Sequence, residues 1–150
     1  MQILSDVIID YKAIPVKYTC DGEDISPPLT FKDIPENTKS LALIVDDPDS
    51  PTGTFTHWLL YNLPPDKTEL PEHFPYADEF PDGTKQGRND FKRIGYGGPC
   101  PGSGSHRYFF KAYALDTVLD LKPGADKAQL ENAIKGHTIA HAELVGVYQR

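Results

Sequence analysis

The stretch Ser40–Leu63, SLALIVDDPDSPTGTFTHWLLYNL, decides the fold. It contains two short apolar runs, Leu41–Val45 and Trp58–Leu63, on either side of an acidic turn. Runs of this length, rich in branched and aromatic residues and bounded by Pro, Gly and Asp, are typical of strands buried on both faces. The stretch therefore predicts a central pair of strands, joined by a loop that places carboxylates beside the core.

Other short apolar runs predict further strands, at Val7–Tyr11, Leu29–Phe31, Tyr108–Leu115 and Glu143–Tyr148. Between residues 64 and 104 the chain is polar and rich in proline, which indicates functional loops with little regular structure. With 150 residues and no linker, the chain is expected to form one domain over residues 1–150. Many short strands separated by turn signals predict a mainly β, sandwich-like fold.

One helix is predicted over residues 126–135. Asp126 is a suitable N-cap, and Gln129 stands three residues later, as in a capping box. Gly136 suits the left-handed position just past the end of the helix. Leu130 and Ile134 form a narrow apolar stripe, so the helix is expected to lie on the surface of a larger core.

The composition excludes some classes of function. A formal net charge of −7 argues against nucleic-acid binding, which needs a basic surface. No apolar run approaches the roughly 20 residues of a membrane-spanning helix. The N-terminal sequence MQILSDVIID lacks the basic segment of a signal peptide, so a soluble cytoplasmic protein is predicted. Reduced thiols are then favoured for Cys20 and Cys100, although a bridge between them is left open.

Strand alternation predicts which polar side chains converge. Three sets of residues should each share one face of a strand: Leu43, Val45 and Asp47; His57, Leu59 and Tyr61; His106, Tyr108 and Phe110. Each set places a polar residue at a strand end on an otherwise apolar face. A shared pocket rim with aspartates, imidazoles and a phenol is therefore predicted, although each residue alone could be structural.

The segment between Gly95 and Tyr108 is the second informative stretch. Its five glycines allow close approach of a ligand, and their N–H groups can form a concave anion-binding nest. A flexible hairpin loop is the alternative. Arg107 should point away from His106, and is expected to pair with an aspartate rather than with a ligand.

These motifs resemble the phosphatidylethanolamine-binding proteins. The resemblance is carried by residues 47–51 (DPDSP), by the pair His57-Trp58, and by Gly98-Pro99 followed by Gly104-x-His106-Arg107-Tyr108. Residues 18–22 (YTCDG), 26–29 (SPPL) and 142–146 (AELVG) are similar to the short prokaryotic branch, often called Raf kinase inhibitor-like. The resemblance covers nearly the whole chain.

The resemblance implies two packed antiparallel sheets with one or two short peripheral helices, and a small anion pocket at one end. Its pocket residues correspond to Asp47, Asp49, His57, Gly98, Pro99, His106 and Tyr108. It also implies a cis peptide bond between Ser50 and Pro51. The expected function is non-enzymatic binding of phosphate or phosphoethanolamine-type ligands, without metal or cofactor.

A protonated His57 or His106, together with glycine N–H groups, would hold the anion, while an aspartate fixes the imidazole. A second possible function is inhibition of another protein, a kinase or a serine protease, in which the loop Pro71–Pro81 would contact the partner. The identity of a protein partner and the oligomeric state, including a homodimer, stay open.

Enzyme alternatives are weaker. Gly98-x-Cys100-x-Gly102 has the spacing of a nucleophile elbow, but Pro101 lacks the N–H that such an elbow needs. Metal-assisted hydrolysis by Asp47, Asp49, His57 and His106 is chemically conceivable, since carboxylates and imidazoles suit zinc.

Overall fold

A computed structural model describes all residues from Met1 to Arg150. It contains nine strands, one α-helix and a single 3₁₀ turn at Val16–Tyr18. The strands are β1 (Gln2–Leu4), β2 (Lys12–Ala13), β3 (Leu29–Lys32), β4 (Ser40–Asp47), β5 (Phe55–Leu63), β6 (Glu69–Leu70), β7 (Lys85–Gln86), β8 (Ser105–Leu115) and β9 (Thr138–Gln149), and the helix is α1 (Lys127–Ile134).

The strands form two sheets, as the mainly β prediction required. The small sheet has the order β1-β3-β6, and the large sheet has the order β2-β9-β8-β4-β5-β7. All pairings are antiparallel except the short contact of β2 with β9. The predicted central pair, β4 and β5, lies inside the large sheet, which explains why both strands are apolar on both faces.

The large sheet has a separate apolar core on each of its faces. The larger core packs against the small sheet and includes Leu43, Val45 and Phe110. The smaller core lies under α1, where Leu130 and Ile134 cover Ile44 and its neighbours on the sheet. The helix begins as predicted, with Asp126 and Gln129 forming a reciprocal capping box.

A β-bulge in β5 changes the predicted side-chain alternation. Val45 is opposite Trp58 and Asp46 is opposite Thr56, so His57 is the extra residue on its strand. Leu59 and Tyr61 face the core under α1, whereas the His57 ring packs against Tyr108 on the other face. The prediction that His57 shares a face with Leu59 and Tyr61 was therefore wrong.

Three further expectations need correction. Val7–Tyr11 is not a strand, because Ile8 alone is buried there while the chain turns into β2. Cys20 and Cys100 are joined in a disulfide, the alternative that the sequence left open, so the expectation of reduced thiols was wrong. The chain contains no cis peptide bond, so the bond before Pro51 is trans, the form that most X-Pro bonds adopt.

The single α-helix has eight residues, and no helix of the structure is long and apolar enough to cross a membrane.

Candidate functional site

A cavity of about 200 Å³ opens where β4 ends and β5 and β8 begin. Four of the seven predicted site residues line it, namely Asp47, His57, His106 and Tyr108. We call it the histidine cavity. The rest of its wall comes from residues 50–52 of the acidic loop, from Phe55 and Phe91, and from residues 100–102.

Asp47 and His106 form a buried pair at the floor of the histidine cavity. His106 Nδ1 lies 2.6 Å from Asp47 Oδ2, and the Asp49 N–H donates to Asp47 Oδ1 at 2.7 Å. The two side chains are only 4% and 11% exposed. Because the carboxylate accepts, Nδ1 carries the proton, and Nε2 has no partner within the chain. The aspartate thus fixes the orientation of the imidazole.

His57 is held differently from His106, the other imidazole that the sequence suggested as a cation. Burial lowers the pKa of His57, and the Gly97 carbonyl and nearby carboxylates offset this only in part. Its Nδ1 lies 2.7 Å from the Gly97 oxygen, which can only accept a hydrogen bond. The neutral ring therefore keeps Nε2 as an acceptor.

Tyr108 is part of the cavity wall. The residue is 1% exposed, and its buried hydroxyl lies beside the carboxylate of Asp47. Burial raises the pKa of Tyr108, and the charge of Asp47 and a side-chain hydrogen bond with it raise the pKa further, so the hydroxyl remains a donor at neutral pH.

Asp49 does not line the histidine cavity. Its carboxylate makes a bidentate pair with Arg107, with Nε and Nη2 each at 2.9 Å, and also accepts the Arg107 N–H at 2.9 Å. These contacts lower the pKa of Asp49 to about 2. The sequence correctly predicted that Arg107 pairs with an aspartate. The pair ties the acidic loop to the start of β8.

Gly98 and Pro99 also lie outside the cavity wall. The Gly98 N–H donates to Asp24 at 2.7 Å, so it is not available to an anion as predicted. A Cβ at residue 98 would lie 2.4 Å from the Tyr18 oxygen, which explains the glycine. The Pro99 carbonyl accepts the N–H of Cys20, beside the disulfide. Of the glycine loop, Gly102 reaches the cavity, and its N–H has no acceptor in the chain.

The third carboxylate of the acidic stretch serves the opposite face of the sheet. Asp46 is 1% exposed, and its Oδ2 pairs with Lys111 at 3.1 Å and with Lys127 at 2.8 Å. Lys127 is the first residue of α1, so this pair links the helix to the end of β4. Asp46 is therefore a structural residue of the helix contact.

Sequence reasoning missed the aromatic side of the cavity. Phe55 and Phe91 have ring centroids 4.8 Å apart, and their centroids lie 5.0 Å and 5.4 Å from that of His57. Phe55 lies two residues before His57 and is opposite Asp47 in the pairing of β4 with β5. Its closeness in sequence to His57 was a usable signal. Phe91 lies in an irregular segment, where no periodicity indicates its direction.

No group of three or more His, Cys, Asp or Glu side chains is arranged to hold a metal ion. The Asp49 carboxylate is paired with Arg107, so it is not free to join the other metal ligands that the sequence suggested.

Comparison with known proteins identifies the family. The family model for phosphatidylethanolamine-binding protein matches residues 4–149, so the chain belongs to that family. A UPF0098 protein of Methanothermobacter thermautotrophicus is 53% identical over 150 residues, covering 100% of this chain and 99% of the relative. Another, from Pyrococcus horikoshii, is 56% identical and covers 98% and 76%.

Solved structures agree with this assignment. The crystal structure of a putative phosphatidylethanolamine-binding protein homologue, CT736 of Chlamydia trachomatis, matches with a TM-score of 0.90 and 46% identity, covering 99% and 97% of the two chains. The crystal structure of Escherichia coli YbcL, described as a member of the mammalian PEBP family, matches with a TM-score of 0.91 and 35% identity over 99% and 98%. The two-sheet fold is therefore the fold of this family.

Proposed function

We propose that this protein is a non-enzymatic binding protein whose histidine cavity takes the phosphate group of a small ligand. The observation that carries the proposal is the Asp47–His106 pair, which holds the imidazole in the cavity wall and leaves its Nε2 without a partner in the chain. An anion oxygen in the cavity would accept a hydrogen bond from this nitrogen when the ring carries two protons.

Two further donors support an anion. Tyr108 is part of the cavity wall, and the N–H of Gly102, which also lines the cavity, is unused. The negative charge of Asp47 is offset by the His106 ring that it holds when that ring is protonated. A charge-assisted hydrogen bond from an imidazolium that is itself paired with a carboxylate is a strong anion contact.

The remaining cavity wall suits the other end of the ligand. An ammonium group of the ligand would meet the rings of Phe55 and Phe91, as a cation–π contact. The neutral His57 Nε2 can accept from the same group. A phosphoethanolamine-like zwitterion fits these features, and the cavity of about 200 Å³ limits the bound part to a small headgroup.

Calorimetry with inorganic phosphate and with phosphoethanolamine tests the proposal, combined with NMR spectra that locate the binding. We expect saturable binding of both ligands, with amide shifts at residues 102 and 106–108. Binding that shifts other regions only, or no binding of either ligand, would refute the anion site.

A further inference from the structure

One wall of the histidine cavity, formed by residues 100–102, belongs to no strand or helix. β8 begins only at Ser105, so this wall is part of a loop that runs from Cys100 to Gly104. Side-chain packing does not hold the middle of the loop, because a Cβ at residue 102 or 104 would have no neighbouring atom within 4 Å. The position of the Gly102 N–H, one of the donors assigned to the anion, therefore depends on contacts made by the rest of the loop.

Arg150 makes contacts at both ends of this loop. At one end, its Nη1 donates to the Pro101 carbonyl oxygen at 3.4 Å and lies 3.5 Å from the Cys100 sulfur. At the other end, its backbone N–H donates to the Gly104 oxygen at 3.1 Å, and its backbone oxygen accepts from the Gly104 N–H at 3.0 Å. Gly102 lies between these two points of attachment, and its own N–H stays unused.

Asp21 and Tyr148 fix the direction of the Arg150 side chain. Arg150 Nη2 lies 3.2 Å from Asp21 Oδ1, and the Tyr148 hydroxyl donates to Asp21 Oδ2 at 2.6 Å. Tyr148 belongs to the main apolar core, so the guanidinium is connected to that core through Asp21. A guanidinium carries several donors in a rigid plane, and it can therefore bind a carboxylate and a carbonyl at the same time.

Stability alone does not account for these contacts. The side chains of Arg150 and Asp21 are 43% and 32% exposed. Ion pairs with this exposure usually contribute little to the free energy of unfolding. The disulfide fixes Cys100, but Gly102 lies two residues further along the chain. The Arg150 contacts are therefore explained better by their effect on the cavity wall.

We propose that Arg150 is a positioning residue of the anion site, which holds residues 100–102 so that the Gly102 N–H meets the ligand phosphate without rearrangement. This role rests on the proposed function, and it adds to that site a residue that does not itself line the cavity. A wall that is ordered before binding lowers the entropic cost of binding, so loss of the arginine contacts should weaken ligand binding.

Backbone order in the free protein tests whether Arg150 fixes the loop. NMR relaxation should give Gly102 an order parameter in the rigid range, about 0.85, and Arg150→Gln should lower it below about 0.6. The midpoint of urea unfolding should stay nearly the same, because the lost ion pair is exposed. An unchanged Gly102 order parameter in Arg150→Gln would overturn the positioning role.

The affinity for inorganic phosphate, measured by calorimetry, tests the effect on binding. Arg150→Gln removes a positive charge, Asp21→Ala removes a negative charge, and Tyr148→Phe leaves the charge unchanged. All three should weaken phosphate binding, the first two by about threefold to tenfold and Tyr148→Phe by about twofold. Arg88→Gln, which removes an exposed arginine outside the cavity wall, is the control and should change the affinity by less than about twofold at ~0.15 M salt.

A simple charge effect predicts the opposite sign for Asp21→Ala, since removal of a carboxylate near an anion would tighten binding. Tighter phosphate binding in Asp21→Ala, or an unchanged affinity in Arg150→Gln, would therefore overturn the positioning role. The absence of phosphate binding by the unmodified protein would instead refute the proposed function, and the order parameters would still decide whether Arg150 fixes the loop.

Discussion

Asp47 at the end of β4 and His106 at the start of β8 are joined by a 2.6 Å hydrogen bond between Oδ2 and Nδ1. This bond exists because the two strands are direct neighbours, paired in register from Ser40 opposite Leu115 to Asp46 opposite Phe109. The polar ends of both strands therefore meet beside the histidine cavity, with the imidazole held and its Nε2 without a protein partner.

The Tyr108 hydroxyl should be needed for binding and not for folding. We expect Tyr108→Phe to lower phosphate affinity by at least tenfold, since a hydrogen bond to a charged group contributes about 1.5–3 kcal/mol. The free energy of unfolding should fall by no more than about 1.5 kcal/mol, the net contribution of a single hydrogen bond, here the one with Asp47. Calorimetry and urea unfolding measure the two quantities.

Tyr61→Phe is the matched control for this substitution. The Tyr61 hydroxyl donates to the Lys122 carbonyl on the opposite face of the sheet. Its removal should reduce stability by about 0.5–1.5 kcal/mol and leave phosphate affinity intact. Equal phosphate affinity of Tyr108→Phe and the unmodified protein would contradict the assigned role of Tyr108.

Asp49 is expected to act on the loop rather than on the ligand. Its carboxylate is occupied by Arg107 and does not line the cavity. Asp49→Ala should therefore change phosphate affinity by less than about threefold and reduce stability by less than about 1 kcal/mol, as is usual for an exposed ion pair. His106→Ala should weaken binding far more. A loss in Asp49→Ala as large as that in His106→Ala, measured by calorimetry, would show that Asp49 contacts the ligand.

His57 should make stability depend on pH. Because burial lowers its pKa in the folded state, the unfolded chain binds a proton more readily between that value and about 6.5. The contribution to stability is complete above about pH 6.5 and is lost as the pH falls below it, with a slope of at most about 1.4 kcal/mol per pH unit.

Urea unfolding between pH 5 and pH 7 measures this slope, in ~0.5-unit steps to resolve a single titration. His57→Gln should show a smaller slope, while His141→Gln, which removes an exposed imidazole, controls for the substitution. If His57→Gln and the unmodified protein show the same slope, His57 is not the buried neutral residue described above.

The disulfide should stabilise both the fold and the histidine cavity. Cys20 and Cys100 are separated by 80 residues, and Cys100 lines the cavity. Reduction should lower the free energy of unfolding by about 2–4 kcal/mol, mainly because the reduced unfolded chain is less constrained. Phosphate affinity should fall as well.

Urea unfolding with and without dithiothreitol tests this effect. The double variant Cys20→Ser with Cys100→Ser should match the reduced protein and should not respond to the reductant. Equal unfolding midpoints of the oxidised and reduced protein would contradict a stabilising role for the bridge.

Alternation along the strands predicted much of this site from the sequence. It correctly brought Asp47, His106 and Tyr108 to one cavity, because β4 and β8 pair without a register shift as far as Asp46 opposite Phe109. It failed for His57, because one extra residue in β5 reverses the alternation and nothing in the local sequence marks the bulge.

Contacts between residues far apart in the sequence explain the other differences between the predicted and the observed site. The sequence motif placed Asp49 and Gly98 in the pocket, but Arg107 and Asp24 occupy their polar groups through contacts across the fold. The disulfide and the position of Phe91 are set by the path of irregular segments that come back to the cavity. The periodicity of the sequence carries no information about that path. The helix was predicted well, since its signals lie within ten residues of sequence.

The most direct test of the central claim is sulfate binding by the unmodified protein and by His106→Gln. The Asp47–His106 pair leaves Nε2 of His106 as the charge-assisted donor to the anion, so we expect calorimetry to show at least about tenfold weaker sulfate binding in His106→Gln. A sulfate affinity that is unchanged in His106→Gln would contradict an anion site built on the Asp47–His106 pair.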